Sequence, residues 1–350
     1  MKTIAAVLRE INKPLVIEEL ILPELQQGQV LVKIAYSGIC HSQLNEIQGL
    51  KGEDKFLPHV LGHEGSGVVE KIGAGVTKVA PGDHVVLTWI KGSGLDVMSS
   101  KYLRSDGSVV NSGAIATFLT RAVISENRLV KIPEKMPLRE AALLGCAIPT
   151  GAGIVMNTLN IKLASSIAIF GMGGIGLSVL LAAKMKGAAT IIAIDINDLK
   201  LKQAMQMGAT HCINVNKQEV LPEILKITNR AGVDYAVESA GRKESMENAF
   251  QSVRDKGGVC VIAGNLPEGQ RITINPFDLI KGKKIIGTWG GETKPDRDIL
   301  LQVDWFLTGK LNFDKLICGG FSLREINKAI NYAEQNALGR VLINMDKILF

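Results

Sequence analysis

Two cysteines and one histidine stand beside glycines or in short polar motifs, in a chain with only five cysteines and five histidines. Cys40 begins a Cys-His-Ser triplet, His63 lies between glycine and glutamate, and Cys146 follows a glycine. Thiolate and imidazole suit zinc, and three protein ligands leave a fourth position for water or substrate. Positions 40 and 146 are 106 apart, so the surrounding motifs must decide whether a metal site exists.

The composition is that of a soluble globular protein. Of 350 residues, 46% are hydrophobic and 21% charged, enough for one or two domains with buried cores. A net charge of +6 without a long basic run, and 5% aromatic residues, do not indicate a nucleic-acid partner. Five scattered cysteines favour reduced thiols and a cytoplasmic location. No apolar signal-peptide segment is expected at the N-terminus.

One uncharged stretch, residues 163–183, is long enough to cross a bilayer. Four glycines lie in its middle. A buried strand, a glycine turn and a buried helix explain it better than a membrane span, so we expect no membrane association.

The hydrophobic pattern changes near residue 150. Before it, short apolar runs alternate with turn signals such as Pro81-Gly82-Asp83, which is typical of a mostly β domain. After it, apolar runs alternate with helical segments, which predicts βαβ units and a parallel sheet with helices on both faces. The predicted strands are 30–35, 67–72, 84–88, 166–170, 190–194, 235–238, 259–263 and 284–287.

Two helices have recognisable ends. Residues 198–207 form a predicted helix that ends at Gly208, a good C-cap. Ser322 and Glu325 predict a capping box, and apolar residues follow at helical spacing. We expect this last helix to pack on the first domain, which makes that domain discontinuous.

A glycine-rich motif follows the predicted strand 166–170 and precedes an apolar helix. Its members are Gly171, Gly173, Gly174, Ile175 and Gly176. In this context the first glycine permits a tight turn, the second lets the backbone approach a pyrophosphate, and the third allows close helix packing. The helix N-terminus offers N–H groups to phosphates. The motif therefore predicts dinucleotide binding.

Asp195 stands 19 positions after Gly176, at the end of the next predicted strand. A carboxylate there accepts hydrogen bonds from the adenosine ribose hydroxyls and repels a 2′-phosphate. The sequence therefore favours NAD over NADP.

The motifs together resemble the zinc-dependent alcohol dehydrogenases of the medium-chain dehydrogenase/reductase superfamily over nearly the whole chain. Alcohol dehydrogenase is the standard example of the Cys2His ligand set. The resemblance implies a catalytic zinc bound by Cys40, His63 and Cys146, with Glu64 as a nearby acid and exchangeable ligand. It lies in residues 38–42, 58–67, 82–83, 145–146, 150–151, 171–176, 195–197 and 339–340.

The same resemblance assigns roles to four further residues. Ser42 is the hydroxyl that relays the substrate proton. His41 contacts a cofactor phosphate and offers a second route for the proton. Arg340 binds the pyrophosphate, which suits its bidentate guanidinium. Lys200 lies near the adenosine ribose, with a solvated helix lysine as the alternative.

The zinc ligands predict the chemistry of the site. Two thiolates and a neutral imidazole leave bound zinc without net formal charge. The ion remains a Lewis acid that lowers the pKa of a bound alcohol. The resulting alkoxide passes hydride to the nicotinamide, and the reverse reaction reduces a polarised carbonyl.

Three departures from the family limit the resemblance. Residues 89–113 contain no cysteine, whereas many members hold a structural zinc there with four, so we expect one catalytic ion per chain and no structural zinc. Gln43 replaces the usual aspartate that supports the histidine ligand, and an amide raises imidazole basicity less than a carboxylate. Asn45 replaces the histidine that ends the proton relay in many members.

We therefore predict an α/β protein with two domains. A GroES-like, mostly β catalytic domain spans 1–147 and 291–350, a doubly wound Rossmann domain that binds NAD spans 148–290, and the substrate occupies the cleft between them. Trp89 and Phe118 match positions that line the family's substrate pocket, which favours primary alcohols or aldehydes with an apolar or aromatic body. The alternative is that both pack in the β-domain core.

Two other functions compete with an alcohol dehydrogenase. One is a zinc-dependent sugar or polyol dehydrogenase, although its branch of the family carries glutamate at the position of Cys146. The other is a dinucleotide-binding protein without turnover, which an intact ligand triad disfavours. The resemblance also implies a homodimer, with a tetramer as second choice, formed through the strand predicted at 284–287. His59, His84 and His211 are interpreted as surface or turn residues.

Overall fold

The computed structural model describes residues 1–335 and 338–347, and it divides the chain into two compact units. Unit 1 comprises Met1–Cys146 and the chain from Lys294 onward, and unit 2 is Ala147–Thr293. The sequence placed the two boundaries after residues 147 and 290, which differ from these by one and three positions. Every residue of unit 2 is described.

The first segment of unit 1 consists mostly of short strands, with helices of seven and four residues. The elements are β1 (Lys2–Leu8), β2 (Val16–Ile21), β3 (Gln29–Ile39), α1 (His41–Ile47), β4 (His59–Val60), β5 (Glu64–Ile72), β6 (His84–Thr88), β7 (Lys101–Leu103), β8 (Val109–Ser112), β9 (Arg121–Ser125), β10 (Leu129–Lys131) and α2 (Leu138–Ala141).

Unit 2 alternates strands and helices, as the sequence predicts. Its elements are α3 (Ala147–Gly153), β11 (Ser166–Phe170), α4 (Gly174–Met185), β12 (Thr190–Asp195), α5 (Asp198–Met207), β13 (His211–Asn214), α6 (Val220–Ile227), β14 (Tyr235–Glu238), α7 (Lys243–Ser252), β15 (Val259–Ile262), α8 (Pro276–Ile280) and β16 (Lys284–Gly287). Unit 1 then resumes with α9 (Pro295–Leu307), β17 (Ile317–Ser322), α10 (Ile326–Gln335) and β18 (Arg340–Asn344).

The strands of unit 1 form two sheets. The strands β1, β2, β7, β8 and β4 close into a barrel, and the second sheet runs β10-β6-β5-β3-β18-β17, with β9 also paired to β3. The strand β3 pairs antiparallel with β5, β9 and β18, and nine of its eleven residues are buried. The final strand β18 pairs antiparallel with β3, the strand that ends directly before Cys40. The second segment of unit 1 therefore joins the sheet that positions Cys40.

The sheet of unit 2 is parallel, in the order β13-β12-β11-β14-β15-β16. Numbered within the unit this order is 3-2-1-4-5-6, the arrangement of dinucleotide-binding folds. The order reverses at β11, and the loop after Phe170 lies at the carboxyl end of that strand. Ligands of open α/β sheets bind at such a switch point.

A buried carboxylate holds the cysteine-free segment 89–113. Glu126 accepts hydrogen bonds from the backbone N–H groups of Thr77 (2.6 Å), Lys78 (2.7 Å) and Leu95 (2.8 Å). The next part of the segment is fixed by Val97, whose N–H donates to Ser125 Oγ at 2.9 Å. Hydrogen bonds therefore fasten this segment, which also contributes β7 and β8 to the barrel.

We expect Glu126→Gln to destabilise the protein by about 1–3 kcal/mol. Both carboxylate oxygens of Glu126 accept from backbone N–H groups, whereas glutamine has one oxygen, and its NH2 group would face an N–H donor. Burial opposes ionisation, but the three N–H groups lower the pKa of Glu126 below its ordinary value of 4.5. A lowered pKa stabilises the fold above that ordinary value, and the gain is lost as pH falls through the folded-state pKa. Urea unfolding between pH 7 and 3 measures both effects.

The exposed Glu134→Gln is the matched control and should leave the unfolding free energy within about 0.5 kcal/mol of the wild-type value. Equal free energies of unfolding for Glu126→Gln and Glu134→Gln would contradict the role of Glu126.

Within residues 1–335 and 338–347, no single helix is long and apolar enough to cross a membrane. One bent pair of helices meets the criterion for a membrane span by its length and composition alone.

Candidate active site

Cys40, His63 and Cys146 converge in unit 1. Their potential ligand atoms all lie within 4.8 Å of one another, with both thiols buried. Zinc–sulfur bonds of about 2.3 Å and zinc–nitrogen bonds of about 2.0 Å place tetrahedral ligand atoms roughly 3.3–3.8 Å apart. The residues that the sequence singled out therefore have the types and spacing that fit one zinc ion.

Local backbone features bring the three ligands together. Cys40 caps α1 directly after β3, and His63 precedes β5. Gly145 allows Cys146 to approach, because a Cβ there would lie 2.3 Å from the Leu87 carbonyl oxygen and 2.7 Å from the Glu64 Cα. A glycine is therefore required before Cys146, which explains that motif.

Glu64 and Arg340 form a buried ion pair beside the ligands. The Nε of Arg340 lies 2.7 Å from Oε1 of Glu64, and both side chains are at least 93% buried. Arg340 also donates from Nη1 to the Ile39 carbonyl at 2.9 Å. A Cβ at Gly38 would lie 2.0 Å from Glu64 Oε1, so the glycine two positions before Cys40 makes room for this carboxylate.

This pair sets the electrostatics of the site. Burial opposes charge on Arg340, but Glu64, Cys40 and Cys146 hold its pKa above the ordinary value. The hydrogen bond from the Cys146 thiol lowers the pKa of Cys40 well below the usual range, against burial and with help from Arg340. The same sharing raises the pKa of Cys146. The pair thus favours ionisation of Cys40, and a zinc ion held by both sulfurs would displace the proton of Cys146.

Gln43, which replaces the family's usual aspartate, contacts His63, the predicted histidine ligand. Its Oε1 accepts from the Cys40 N–H at 2.6 Å, which leaves Nε2 at 3.2 Å from His63 Nδ1. A histidine that binds zinc through one ring nitrogen normally donates from the other. The amide of Gln43 can accept from Cys40 or from His63 Nδ1–H, but it cannot accept through both terminal atoms as a carboxylate does.

We therefore expect Gln43→Glu to raise zinc affinity about tenfold, since outer partners of zinc ligands change affinity by roughly 10–100-fold. Competition with a chromogenic chelator measures this without reference to activity. The exposed Gln27→Glu adds the same charge away from the ligands and is the control. Equal zinc affinity in Gln43→Glu and Gln27→Glu would contradict the argument.

The predicted relay residues Ser42 and His41, and Asn45, follow Cys40 on α1. Ser42 is half-buried, His41 is exposed, and Asn45 is buried. Lys51 donates from Nζ to Ser42 Oγ at 3.0 Å and to Glu46 Oε2 at 2.7 Å. Sequence reasoning missed this lysine, because it lies in the irregular segment after α1, where no periodicity assigns a contact.

The predicted glycine loop has the required geometry in unit 2. Gly171 has φ +91°, a conformation that favours glycine. A Cβ at Gly176 would lie 1.8 Å from the Gly171 carbonyl oxygen. Apart from the two chain neighbours of Gly173, none of the residues that the structure describes places an atom within 4 Å of a Cβ built there, which leaves that side of the loop open. Helix α4 then begins at Gly174 and includes Ile175.

Asp195 lies at the end of β12 and fastens this loop. Its Oδ2 accepts from the Met172 N–H at 2.7 Å, and its Oδ1 accepts from the Asn197 N–H at 3.0 Å. Lys200 is half-buried in the first turn of α5. Asp195 and the glycine motif are therefore neighbours, as dinucleotide binding requires.

The two predicted substrate residues differ in burial. Phe118 is fully buried in the core of unit 1, whereas Trp89 is partly buried and packs against that core. Packing, the alternative weighed from the sequence, thus describes Phe118 in this structure. The interpretation of His59 as a surface or turn residue is wrong, since it is only 5% exposed and lies 2.8 Å from Asp54.

Comparison with known proteins identifies the class. Residues 26–134 match the family model described as "Alcohol dehydrogenase GroES-like domain", and residues 174–303 match the model "Zinc-binding dehydrogenase". The fold and the site are therefore those of a zinc-dependent oxidoreductase with a dinucleotide-binding unit.

Full-length relatives narrow the class. The chain is 33% identical to S-(hydroxymethyl)glutathione dehydrogenase of Paracoccus denitrificans, over 95% of this chain and 96% of that protein. Its structure matches the crystal structure of benzyl alcohol dehydrogenase from Acinetobacter calcoaceticus with a TM-score of 0.89 over 99% of each chain, and the two sequences are 32% identical. The structure of an alcohol dehydrogenase zinc-binding domain protein from Burkholderia ambifaria matches with a TM-score of 0.90 and 32% sequence identity, over 99% of each chain.

The chain belongs to the zinc-dependent alcohol dehydrogenases of the medium-chain dehydrogenase/reductase superfamily. It is an enzyme, and the cofactors of its class are zinc and NAD. The predictions of family, fold class and activity class, and of zinc and NAD as cofactors, are thus confirmed. The absence of a structural zinc and the role of each site residue remain predictions.

Proposed function

We propose that this enzyme interconverts a primary alcohol with an apolar or aromatic body and its aldehyde, with NAD as the hydride acceptor. The convergence of Cys40, His63 and Cys146 within 4.8 Å carries the proposal. Zinc held by these residues would supply a Lewis acid that lowers the pKa of a bound alcohol.

The chain's own residues handle charge and protons. The Glu64–Arg340 pair adds no net charge beside the metal, so two thiolates and zinc remain balanced. Ser42 follows the ligand Cys40 by two positions and takes the substrate proton in oxidation or returns it in reduction. Glu64 keeps its proposed role as a nearby acid and exchangeable ligand, although Arg340 holds it in this structure.

Unit 2 supports the assignment of NAD. The glycine loop and the start of α4 offer backbone N–H groups to a pyrophosphate, and Asp195 stands beside the loop for the ribose hydroxyls. His41 and Arg340 are proposed phosphate contacts, and Lys200 a contact near the ribose. Each assignment remains open to a binding measurement on the single variant.

Similarity to a benzyl alcohol dehydrogenase supports an aromatic substrate, and the partly buried Trp89 is the proposed apolar wall. Phe118 keeps its place in the proposal only as a buried residue of the core against which Trp89 packs. The test is NAD reduction with benzyl alcohol, S-(hydroxymethyl)glutathione, simple alcohols and polyols, with zinc measured in the same sample.

Turnover of aromatic primary alcohols with about one zinc per chain would support the proposal. Turnover confined to polyols would favour the sugar or polyol dehydrogenase instead. No hydride transfer on the whole panel, together with no zinc, would favour a dinucleotide-binding protein without turnover.

We also propose a homodimer formed through unit 2. The edge strand β16 exposes Ile286, and the preceding helix α8 exposes Phe277 (56%) and Ile280 (77%). An unpaired edge strand next to exposed apolar side chains is suited to pairing with a second copy. Light scattering at micromolar concentration distinguishes a dimer from the tetramer. A cytoplasmic location remains a proposal that rests on the small number and wide scatter of the five cysteines in the sequence.

A further inference from the structure

A lysine and a glutamate continue the hydrogen-bond chain that begins at Ser42. The Nζ of Lys51 donates to Ser42 Oγ at 3.0 Å and to Glu46 Oε2 at 2.7 Å. The side chains of Lys51 and Glu46 are 42% and 28% exposed, so the far end of this chain reaches solvent. The contacts join a hydroxyl beside a metal ligand to bulk water through two titratable groups.

Asn45, at the position where many family members end the relay with a histidine, cannot do so here. Asn45 is buried and carries an amide, which neither accepts nor releases a proton near neutral pH. Lys51 lies six positions further along the chain and reaches back to the same helix. We propose that Lys51, held by Glu46, exchanges with Ser42 the proton that the reaction consumes or releases, an inference that rests on the proposed function.

The proton balance is simplest for aldehyde reduction. NADH adds hydride to the carbonyl carbon, and the oxygen takes the proton of Ser42. Ser42 Oγ then takes a proton from Lys51 Nζ, which donates to it at 3.0 Å. Lys51 recovers a proton from water through Glu46. In alcohol oxidation, which NAD drives by accepting hydride, each proton moves in the opposite direction.

Neighbouring charges keep Lys51 and Glu46 in this arrangement. Glu46 Oε1 lies 3.8 Å from His59 Nε2, and that nitrogen lies 2.8 Å from Asp54 Oδ2. On the adjoining helix, Glu334 accepts from Gln48 at 2.8 Å. His59, held by Asp54, thus lies near one carboxylate oxygen of Glu46, while Lys51 donates to the other, and Glu46 orients the lysine toward Ser42.

The same contacts disfavour two other functions for this group of residues, a substrate-binding lysine and a second metal site. A lysine that recognises a substrate carboxylate needs an uncompensated charge, and Glu46 lies 2.7 Å from Lys51 Nζ. Glu46, Asp54 and His59 also lie close enough to suggest a second metal site. The ammonium of Lys51 already provides the cation there, which makes a metal ion unnecessary.

The test compares Lys51→Ala, Lys51→Arg and Lys55→Met in the zinc-loaded enzyme, with the wild type measured first. Lys55 is exposed in the same segment and is the matched control. We expect Lys51→Ala to lower kcat for aldehyde reduction about 100-fold, the lower end of general acid–base effects. KM for NADH and zinc content should stay within about twofold. Lys51→Arg should retain more activity than Lys51→Ala.

Recovery of kcat on addition of methylamine distinguishes a proton-transfer role of Lys51 from a structural one. Because the lysine is partly exposed, a small ammonium ion can enter the space left by Lys51→Ala and restore kcat in a concentration-dependent way. The same amine should not affect the wild type or Lys55→Met.

Wild-type kcat in Lys51→Ala would overturn the proposal and leave the proposed function intact. A rise in KM without a change in kcat would overturn it in favour of a substrate-binding role. A loss of kcat that methylamine does not reverse would overturn it in favour of a structural role. Absence of turnover in the zinc-loaded wild type would overturn the proposed function, and this inference with it.

Discussion

Cys146→Ser is expected to remove zinc binding and dehydrogenase activity together. An outer partner of a zinc ligand already changes affinity by about 10–100-fold, so loss of a thiolate ligand should cost more than about 100-fold. A Lewis acid contributes several kcal/mol to such a reaction. With 1.36 kcal/mol for each factor of ten, kcat should fall by about 10³-fold or more.

The site explains why serine cannot replace this thiol. Cys146 shares a hydrogen bond with Cys40 beside the Arg340 charge, and this sharing leaves one thiolate ready for the metal. A serine hydroxyl does not ionise near neutral pH, and zinc in such sites prefers sulfur or nitrogen. The variant would therefore keep two ligands, of which only Cys40 is anionic.

Zinc per chain by atomic emission and NAD reduction on the same sample measure the two losses. Cys212→Ser is the control, because Cys212 lies in unit 2 and its hydroxyl substitute can still donate to the Leu201 carbonyl. Circular dichroism shows whether each variant is folded. A folded Cys146→Ser that keeps one zinc and wild-type kcat would refute the ligand assignment.

The repeating elements of unit 2 could be predicted from sequence, because their signals are local. The predicted strands 166–170, 235–238 and 284–287 agree with β11, β14 and β16, and the helix 198–207 ends at Gly208 with φ 121°. Buried parallel strands are continuous apolar runs between turn residues. A helix that ends at a glycine in a left-handed conformation is equally readable.

Contacts between distant positions could not be predicted in the same way. The ion pair of Glu64 with Arg340 joins residues on β5 and β18, and no periodicity relates them. The three backbone bonds to Glu126 and the contact of Lys51 with Ser42 depend on irregular segments. Side chains in such segments acquire partners only when the sheet has set their neighbours. Resemblance supplied the zinc ligands, but it could not supply these supporting contacts.

The second large effect concerns Asp195. Its carboxylate accepts from the Met172 N–H in the glycine loop and from the Asn197 N–H, so it fixes the loop and keeps a negative charge beside it. The proposed ribose contact would add hydrogen bonds to a charged acceptor, worth about 1.5–3 kcal/mol. A 2′-phosphate at the same place meets like charge, which disfavours NADP.

Asp195→Asn should therefore weaken NADH binding by about 10- to 150-fold, the range that 1.5–3 kcal/mol gives. NADPH binding should not weaken, because the repulsion is lost with the charge. Asparagine retains one acceptor for the loop, so kcat at saturating NAD should change much less than KM. Fluorescence titration with NADH and NADPH measures both affinities without turnover.

Asp198→Asn is the matched control, since Asp198 is exposed in the first turn of α5 and bonds to Asn214 and Lys217. It removes the same charge a few residues away and should change neither affinity by more than about threefold, because exposed charges act weakly at a distance. If Asp195→Asn and Asp198→Asn gave the same ratio of NADH to NADPH affinity, the carboxylate of Asp195 would not select the cofactor. Selection would then have to come from the glycine loop itself, and Gly173, whose side is open, would be the next position to vary.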